Sequence, residues 1–147
     1  MHSFTGAPDG LFPYGGLVLD SGHNLYGATE FGGSVTYGSG IVFKLDKSGK
    51  ETLLYTFGVA DGAPTASVVL DSLGNVYGTT ENSGGSCFEG CGTVFKLDQT
   101  GTLTFLHLFT GPPDGEYQRH PCFWMRRASF TARLPPVELR EMEQYLD

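Results

Sequence analysis

An internal repeat with a period of about 52 residues constrains this chain of 147 residues more than any other feature. Three segments recur at this spacing, in the same order along the chain. They are MHSFTGAPDG (1–10), which returns at 54–63 and 106–115; LVLDSGHNLYGATE (17–30), which returns at 68–81; and GIVFKLDKSG (40–49), which returns at 92–101. A period of this length is typical of architectures in which one supersecondary unit buries its apolar face against the next unit.

Each unit is predicted to form four short strands. In the first full unit these strands are 16–19, 25–29, 41–45 and 52–57. Val, Tyr, Phe and Thr dominate the four runs, and sheets favour these residues. Alternation in the fourth run is expected to place Leu53, Tyr55 and Phe57 on one face. Four antiparallel strands repeated about every 50 residues are typical of a β-propeller blade.

The sequence therefore predicts an all-β fold of antiparallel four-stranded blades, a partial β-propeller of about two repeats. The predicted organisation is a partial unit at 1–15, full units at 16–67 and 68–116, and a non-repeat tail at 117–147. Ten side chains of the repeats are expected to be mostly buried. They are Leu19, Leu25, Val42, Phe43, Phe57, Val69, Tyr77, Val94, Phe95 and Phe109.

The tail breaks the repeat after Gly115, where Gly disappears and Arg, Met and Trp appear. One interpretation is a separate C-terminal element, since two prolines precede a stretch in which Leu139, Met142 and Leu146 share the face of a short helix. The other is a shifted reading frame. Trp and Met each have a single codon, and the neighbouring frame around FWM (123–125) permits the missing LDxxGxLYGTT motif. We favour the frame-shifted third repeat, and we expect removal of the tail to leave stability unchanged.

The repeated motifs resemble the tandem repeat called GloVer, whose pattern is close to F-x-G-x-x-D-G, then G-L-x-x-D-x-x-G-N-L-Y-G-T-T, then G-T-V-F-K-L. This sequence carries them as FTGAPDG (4–10), LVLDSGHNLYGAT (17–29) and GIVFKL (40–45), and again as FGVADG, VVLDSLGNVYGTT and GTVFKL. The resemblance covers residues 1 to about 116. It implies propeller-like arrays in long bacterial proteins that often end in a surface anchor or sorting signal. The resemblance implies no catalytic residues for this sequence, because the GloVer family has no agreed catalytic residues.

Charge and hydropathy narrow the classes of partner. Sixteen acidic residues against nine basic ones give a net charge of −7, which argues against a nucleic-acid backbone or an anionic lipid as partner. No apolar run approaches the ~20 residues that span a bilayer. No charged region and apolar region of a signal peptide follow Met1. We expect neither nucleic-acid binding nor membrane insertion by this segment.

An Asp-Gly pair recurs once per unit, at Asp9, Asp61 and Asp114, and Asp20 and Asp71 recur in the same way. Oxygen ligands in Gly-rich loops suit Ca²⁺. Alternatively, such an Asp caps a turn while the Gly supplies a positive φ. Because no dense D-x-D-x-D loop is present, we favour the turn cap and keep calcium as the weaker alternative. No other metal or cofactor is predicted.

Two cysteines, Cys87 and Cys91, lie in the Gly-rich loop of the second unit, where the first unit has Val35 and Ser39. A C-x₃-C pair with no second ligand pair nearby is a poor zinc site, and its spacing differs from a redox C-x-x-C. We predict a local disulfide between them, which implies an oxidising, extracytoplasmic setting. Two free thiols are the alternative. Cys122, in the tail, supports no inference.

Equivalent places on the fourth strand hold an aromatic-sized ring in every unit, at His2, Tyr55 and His107. A position that accepts either His or Tyr indicates packing rather than catalysis. His23 stands where the second unit has Gly74, and it is interpreted as a turn residue. Tyr26 and Tyr77 either pack between blades, which we favour, or line a carbohydrate-binding face.

The predicted function is a non-catalytic scaffold or binding segment of an extracellular or surface-anchored bacterial protein. The expected partners are neighbouring repeats or a second copy of the chain, with a glycan or a surface protein as further candidates. The alternatives are a glycan-binding module and a fragment of a propeller enzyme of the lyase or lactonase type. Such an enzyme would need His, Glu or Asn on its innermost strands. The runs Leu17-Val18-Leu19 and Val68-Val69-Leu70 argue against it.

Overall fold

The computed structural model describes residues 2–33, 39–83, 91–111 and 113–114, and these residues form two four-stranded antiparallel sheets, one for each repeat. The first blade consists of β1 (Val18–Leu19), β2 (Leu25–Thr29), β3 (Ile41–Leu45) and β4 (Glu51–Thr56). The second consists of β5 (Val69–Leu70), β6 (Val76–Thr80), β7 (Thr93–Leu97) and β8 (Leu103–Leu108). In each blade the strands are hydrogen-bonded in sequence order. The all-β, four-stranded prediction is confirmed, whereas the predicted tail lies outside the described residues.

Tight Asp-containing turns connect the strands in both repeats. Between β3 and β4, the Asp46 carboxylate accepts hydrogen bonds from the backbone N–H groups of Ser48 (2.8 Å) and Lys50 (3.0 Å). Gly49 completes this turn with φ +85°, a conformation that L-residues rarely adopt. Asp98 and Gly101 repeat the arrangement between β7 and β8. The repeated D-x-x-G motif therefore sets the hairpin in both blades.

The fourth strand of each blade contains a β-bulge. Leu53 is paired with Phe43 and Tyr55 with Val42, so Leu54 is an extra residue without a partner in the ladder. The same shift occurs in β8 at the place equivalent to Leu54. The prediction that Leu53 and Tyr55 share a face is wrong, because the bulge places them on opposite faces of the sheet.

The core lies between the two blades. We call the side of each sheet that carries Phe43 or Phe95 its front face, and the side that carries Val42 or Val94 its back face. The back face of the first blade packs on the front face of the second, and the rings of Phe57 and Phe95 meet edge to face at 5.2 Å. The buried members of this inter-blade core are Tyr26, Ala28, Val42, Phe57, Val68, Val76, Phe95 and Leu97.

The N-terminal segment covers part of the front face of the first blade. The ring of Phe4 meets the ring of Phe43 edge to face at 4.9 Å. Gly27 makes room for this face, since a Cβ built there would lie 2.7 Å from both Phe43 Cζ and Leu17 Cδ2. Phe4 thus occupies, relative to the first blade, the place that Phe57 occupies relative to the second.

Burial agrees with the prediction for six of the ten side chains, which are Val42, Phe43, Phe57, Val94, Phe95 and Phe109. Leu25, Val69 and Tyr77 are half-buried. The prediction for Leu19 is wrong, because its side chain is 57% exposed. Its equivalent in the second repeat, Leu70, packs against the inter-blade core.

Within the described ranges, no helix has the length and apolar character needed to cross a bilayer.

Candidate functional site

Three potential ligand groups meet where the N-terminal segment contacts the start of β4. His2 Nε2 lies 2.9 Å from Asp9 Oδ1 and 3.7 Å from Glu51 Oε2. The loop between His2 and Asp9 is fixed by Asp9 itself, whose Oδ2 accepts hydrogen bonds from the backbone N–H of Thr5 (2.7 Å) and from its hydroxyl (3.0 Å). Gly6 and Gly10 close the same loop with two backbone hydrogen bonds. The three side chains therefore come from two segments, the N-terminal loop with His2 and Asp9 and the start of β4 with Glu51.

The two carboxyl groups of this cluster have opposite pKa shifts. Burial, together with the hydrogen bond and charge of Asp9, raises the pKa of Glu51 to about 7. Burial also acts to raise the pKa of Asp9, but hydrogen bonds from Glu51, Thr5 and His2 outweigh it and hold that pKa below its usual value. Of the two carboxyl groups, Glu51 therefore holds a proton more readily than Asp9.

The equivalent cluster at the junction between the two blades has different chemistry. Tyr55 replaces His2 and its hydroxyl lies 3.4 Å from Asp61 Oδ2, while Leu103 replaces Glu51 and packs against the inter-blade core. A His–Asp pair returns at His107 and Asp114, with Nε2 and Oδ1 3.2 Å apart. Among the described residues, only the first junction brings three potential metal ligands together.

The three calcium candidates, Asp9, Asp61 and Asp114, lie in separate loops of successive units. Each carboxylate accepts a hydrogen bond from a backbone N–H three or four residues earlier, and the donors are Thr5, Gly58 and Thr110. This is the geometry of a turn cap, the interpretation that the sequence favours. Calcium binding at these loops stays the weaker, untested alternative.

The cysteine pair is only partly within the described residues. Cys91 is fully buried and disulfide-bonded, and it packs with Val94 and Phe109. Cys87 and Cys122 both lie outside the described residues. The Cys87–Cys91 pairing therefore stays a prediction.

The rings at the end of the fourth strand share one arrangement. His2, Tyr55 and His107 each meet the Phe two residues later edge to face, with centroids 4.7–5.0 Å apart. His23 has φ +64°, as expected for its turn position. Each of these four residues is thus placed by backbone or ring packing.

The two tyrosines considered for carbohydrate binding are held by neighbouring side chains. The Tyr26 hydroxyl donates to Asp20 (3.2 Å), and the Lys44 amino group lies 5.6 Å from its ring centre. Tyr77 donates to Asp71 in the same way (3.1 Å). Tyr26 is buried in the inter-blade core, which supports a packing role for this ring.

Sequence reasoning missed an exposed aromatic cluster and the part that Glu51 plays. Phe12 and Tyr14 are exposed and stack with centroids 5.8 Å apart, and Phe31 meets Phe12 edge to face. Phe12 also has φ +57°, which is unusual for a residue with a side chain. Glu51 follows a turn, where a solvated residue is expected, and only its contrast with Leu103 in the next unit could have drawn attention to it.

The comparisons with known proteins agree with this repeat architecture. No curated protein matches the chain. The family model described as the Gloeobacter/Verrucomicrobia repeat matches residues 1–126, which is most of the chain. The chain therefore belongs to the Gloeobacter/Verrucomicrobia repeat family.

Proposed function

We propose that this chain is a non-catalytic stacking module in an extracellular or surface-anchored bacterial repeat protein. One observation carries the proposal, which is that the same aromatic contact occurs twice. Phe4 meets Phe43 at 4.9 Å with an interplanar angle of 64°, and Phe57 meets Phe95 at 5.2 Å with an angle of 66°. The N-terminal segment thus contacts the first blade as the end of the first blade contacts the second. Such a unit is built to receive another unit on its front face.

Differences in exposure mark where that further unit would lie. Leu17 and Val68 are equivalent, and each lies against the glycine of its second strand. Val68 is 3% exposed because the first blade covers it, whereas Leu17 is 53% exposed. Leu19 is likewise exposed where Leu70 is packed. The front face of the first blade therefore leaves leucines uncovered at the positions that stacking buries in the second blade.

The occupant of this face is a neighbouring repeat or a second copy of the chain. A front-to-back contact joins two different surfaces, so it leaves one surface of each kind free for the next unit. This is the property expected of an extended scaffold. The disulfide at Cys91 supports an oxidising compartment, and hence the extracellular or surface location. That location is tested by protease treatment of intact cells, which should cleave the parent protein without lysis.

The stacking role is tested by sedimentation equilibrium over a wide range of concentration. The unmodified chain is expected to associate, and Leu17→Asp to remain monomeric, because a carboxylate on the front face cannot be buried without a partner. Leu73→Asp is the matched control, since Leu73 is an exposed leucine in the β5–β6 turn. A chain that stays monomeric at every concentration, or one that both variants affect equally, would contradict the proposal.

A further inference from the structure

The cluster of His2, Asp9 and Glu51 has the donor set of a metal site. One imidazole nitrogen and two carboxylate oxygens lie within 4.8 Å of one another. Around a tetrahedral ion with bonds of about 2.0–2.1 Å, neighbouring ligand atoms are about 3.3 Å apart. The His2–Asp9 and His2–Glu51 distances, 2.9 and 3.7 Å, lie on either side of this value. Small side-chain rotations would therefore bring these donors to the required spacing.

A second, independent observation is an orphaned oxygen. Glu51 Oε1 is inaccessible to solvent and has no hydrogen-bond partner among the residues that the structure describes. A buried carboxylate oxygen without a partner is unfavourable, because water no longer solvates it and nothing replaces that water. A cation bound between the three side chains would remove this deficit, since a carboxylate can bind a metal through either or both of its oxygens.

We propose that His2, Asp9 and Glu51 bind one divalent transition-metal ion of the Zn²⁺ class at the junction between the N-terminal segment and the first blade. Zn²⁺ accepts imidazole and carboxylate ligands together, whereas Ca²⁺ takes six to eight oxygens. Two carboxylates and a neutral imidazole balance the charge of the ion. His2 and Asp9 retain side-chain exposures of 20% and 15%, which leaves a path for the ion and a water ligand.

The junction between the two blades can be compared directly with this site, because the two junctions are equivalent in the repeat. The junction between the two blades has Tyr55, Asp61 and Leu103 at the three equivalent positions, a set with only one strong metal ligand. The two junctions share their packing, yet only one carries the full donor set. The ion would therefore act as a clamp between the N-terminal segment and β4, where the inter-blade junction uses apolar packing.

The proposal is tested on the full chain after treatment with a chelator, at about pH 8. Isothermal titration with Zn²⁺ is carried out in a His107→Ala background, which removes the second His–Asp pair. We expect one ion per chain and a rise in Tm that the same concentration of Ca²⁺ does not produce. Asp61→Asn, at the equivalent position of the inter-blade junction, is the matched control and should bind Zn²⁺ unchanged.

Two further variants decide the outcome. Glu51→Gln and His2→Ala should each weaken Zn²⁺ binding at least about 100-fold, since loss even of an outer-shell partner costs about 10–100-fold. His2 is partly exposed, so its variant keeps the fold if Glu51→Gln does not. Zn²⁺ binding that both variants leave intact, or no binding by the unmodified site, would overturn the proposal.

Discussion

Asp20 and Asp71 hold the same turn in the two repeats but differ in their surroundings. Each carboxylate accepts hydrogen bonds from the backbone and side-chain amide of the Asn four residues later. Hydrogen bonds from Asn24 hold the pKa of Asp20 below its usual value. Burial acts to raise the pKa of Asp71, but hydrogen bonds from Asn75 and other donors outweigh it and lower that pKa as well. Asp71 is the more buried of the pair, with 8% exposure.

Asp71→Asn is therefore expected to lower the free energy of unfolding by about 1–3 kcal/mol at neutral pH, the usual effect of leaving buried donors unsatisfied. The effect should depend on pH. Because the pKa of Asp71 is lower in the folded state, its carboxylate stabilises the fold above the unfolded pKa of about 3.9, and this stability is lost as pH falls through the folded pKa. Urea denaturation should show a deficit that shrinks below about pH 4. A deficit independent of pH, or an equal one for Asp20→Asn, would contradict this account.

At the scale of strands, the sequence predicts what alternation and turn residues determine. The bounds of β2 and β3 agree with 25–29 and 41–45, because Asx turns and Gly-rich loops delimit both. The bulge at Leu54 could not be predicted, since one extra residue in a run of apolar side chains leaves no distinct pattern. Gly78 stands at the position of the second repeat that corresponds to Gly27 in the first, but only the structure shows why both repeats have glycine there. A Cβ at Gly78 would lie 2.6 Å from Phe95 Cζ.

Gly78→Ala is expected to destabilise the chain by about 1–3 kcal/mol, the usual effect of overpacking a filled core. The new methyl group would displace the Phe95 ring, which is fully buried between the blades and has no free space to enter. Gly58→Ala is the control, because the nearest atom to a Cβ there is Asp61 Oδ2 at 3.4 Å. Thermal unfolding of both variants measures the difference. Equal Tm values for the two variants would contradict this account, because they would show that the Phe95 ring can move to accommodate the added methyl group.

At the scale of the whole molecule, the repeat predicts that blades exist but not how they are joined. Front-to-back stacking determines that Leu19 is exposed while Leu70 is packed, a difference that two nearly identical motifs cannot reveal. The cluster of His2, Asp9 and Glu51 escapes prediction for the same reason, because its members lie in different units and meet only through stacking. Sequence reasoning thus identifies the strands and turns of each blade more readily than the contacts between successive units.

The junction between the blades leads to the last prediction, which concerns Phe57. Its side chain is 1% exposed and lies at the centre of the inter-blade core, where its ring contacts both Phe95 and Tyr55. Phe57→Ala is expected to lower the free energy of unfolding by about 3–5 kcal/mol, because it removes a fully buried ring and leaves a cavity in the core that joins the two blades. Phe4→Ala is the matched control. Phe4 makes the same contact on the first blade but is only half-buried, so its loss should be clearly smaller. Urea denaturation followed by far-ultraviolet circular dichroism measures both. Equal losses for the two variants would mean that the N-terminal contact contributes as much as the inter-blade contact, and that the core does not lie mainly between the blades.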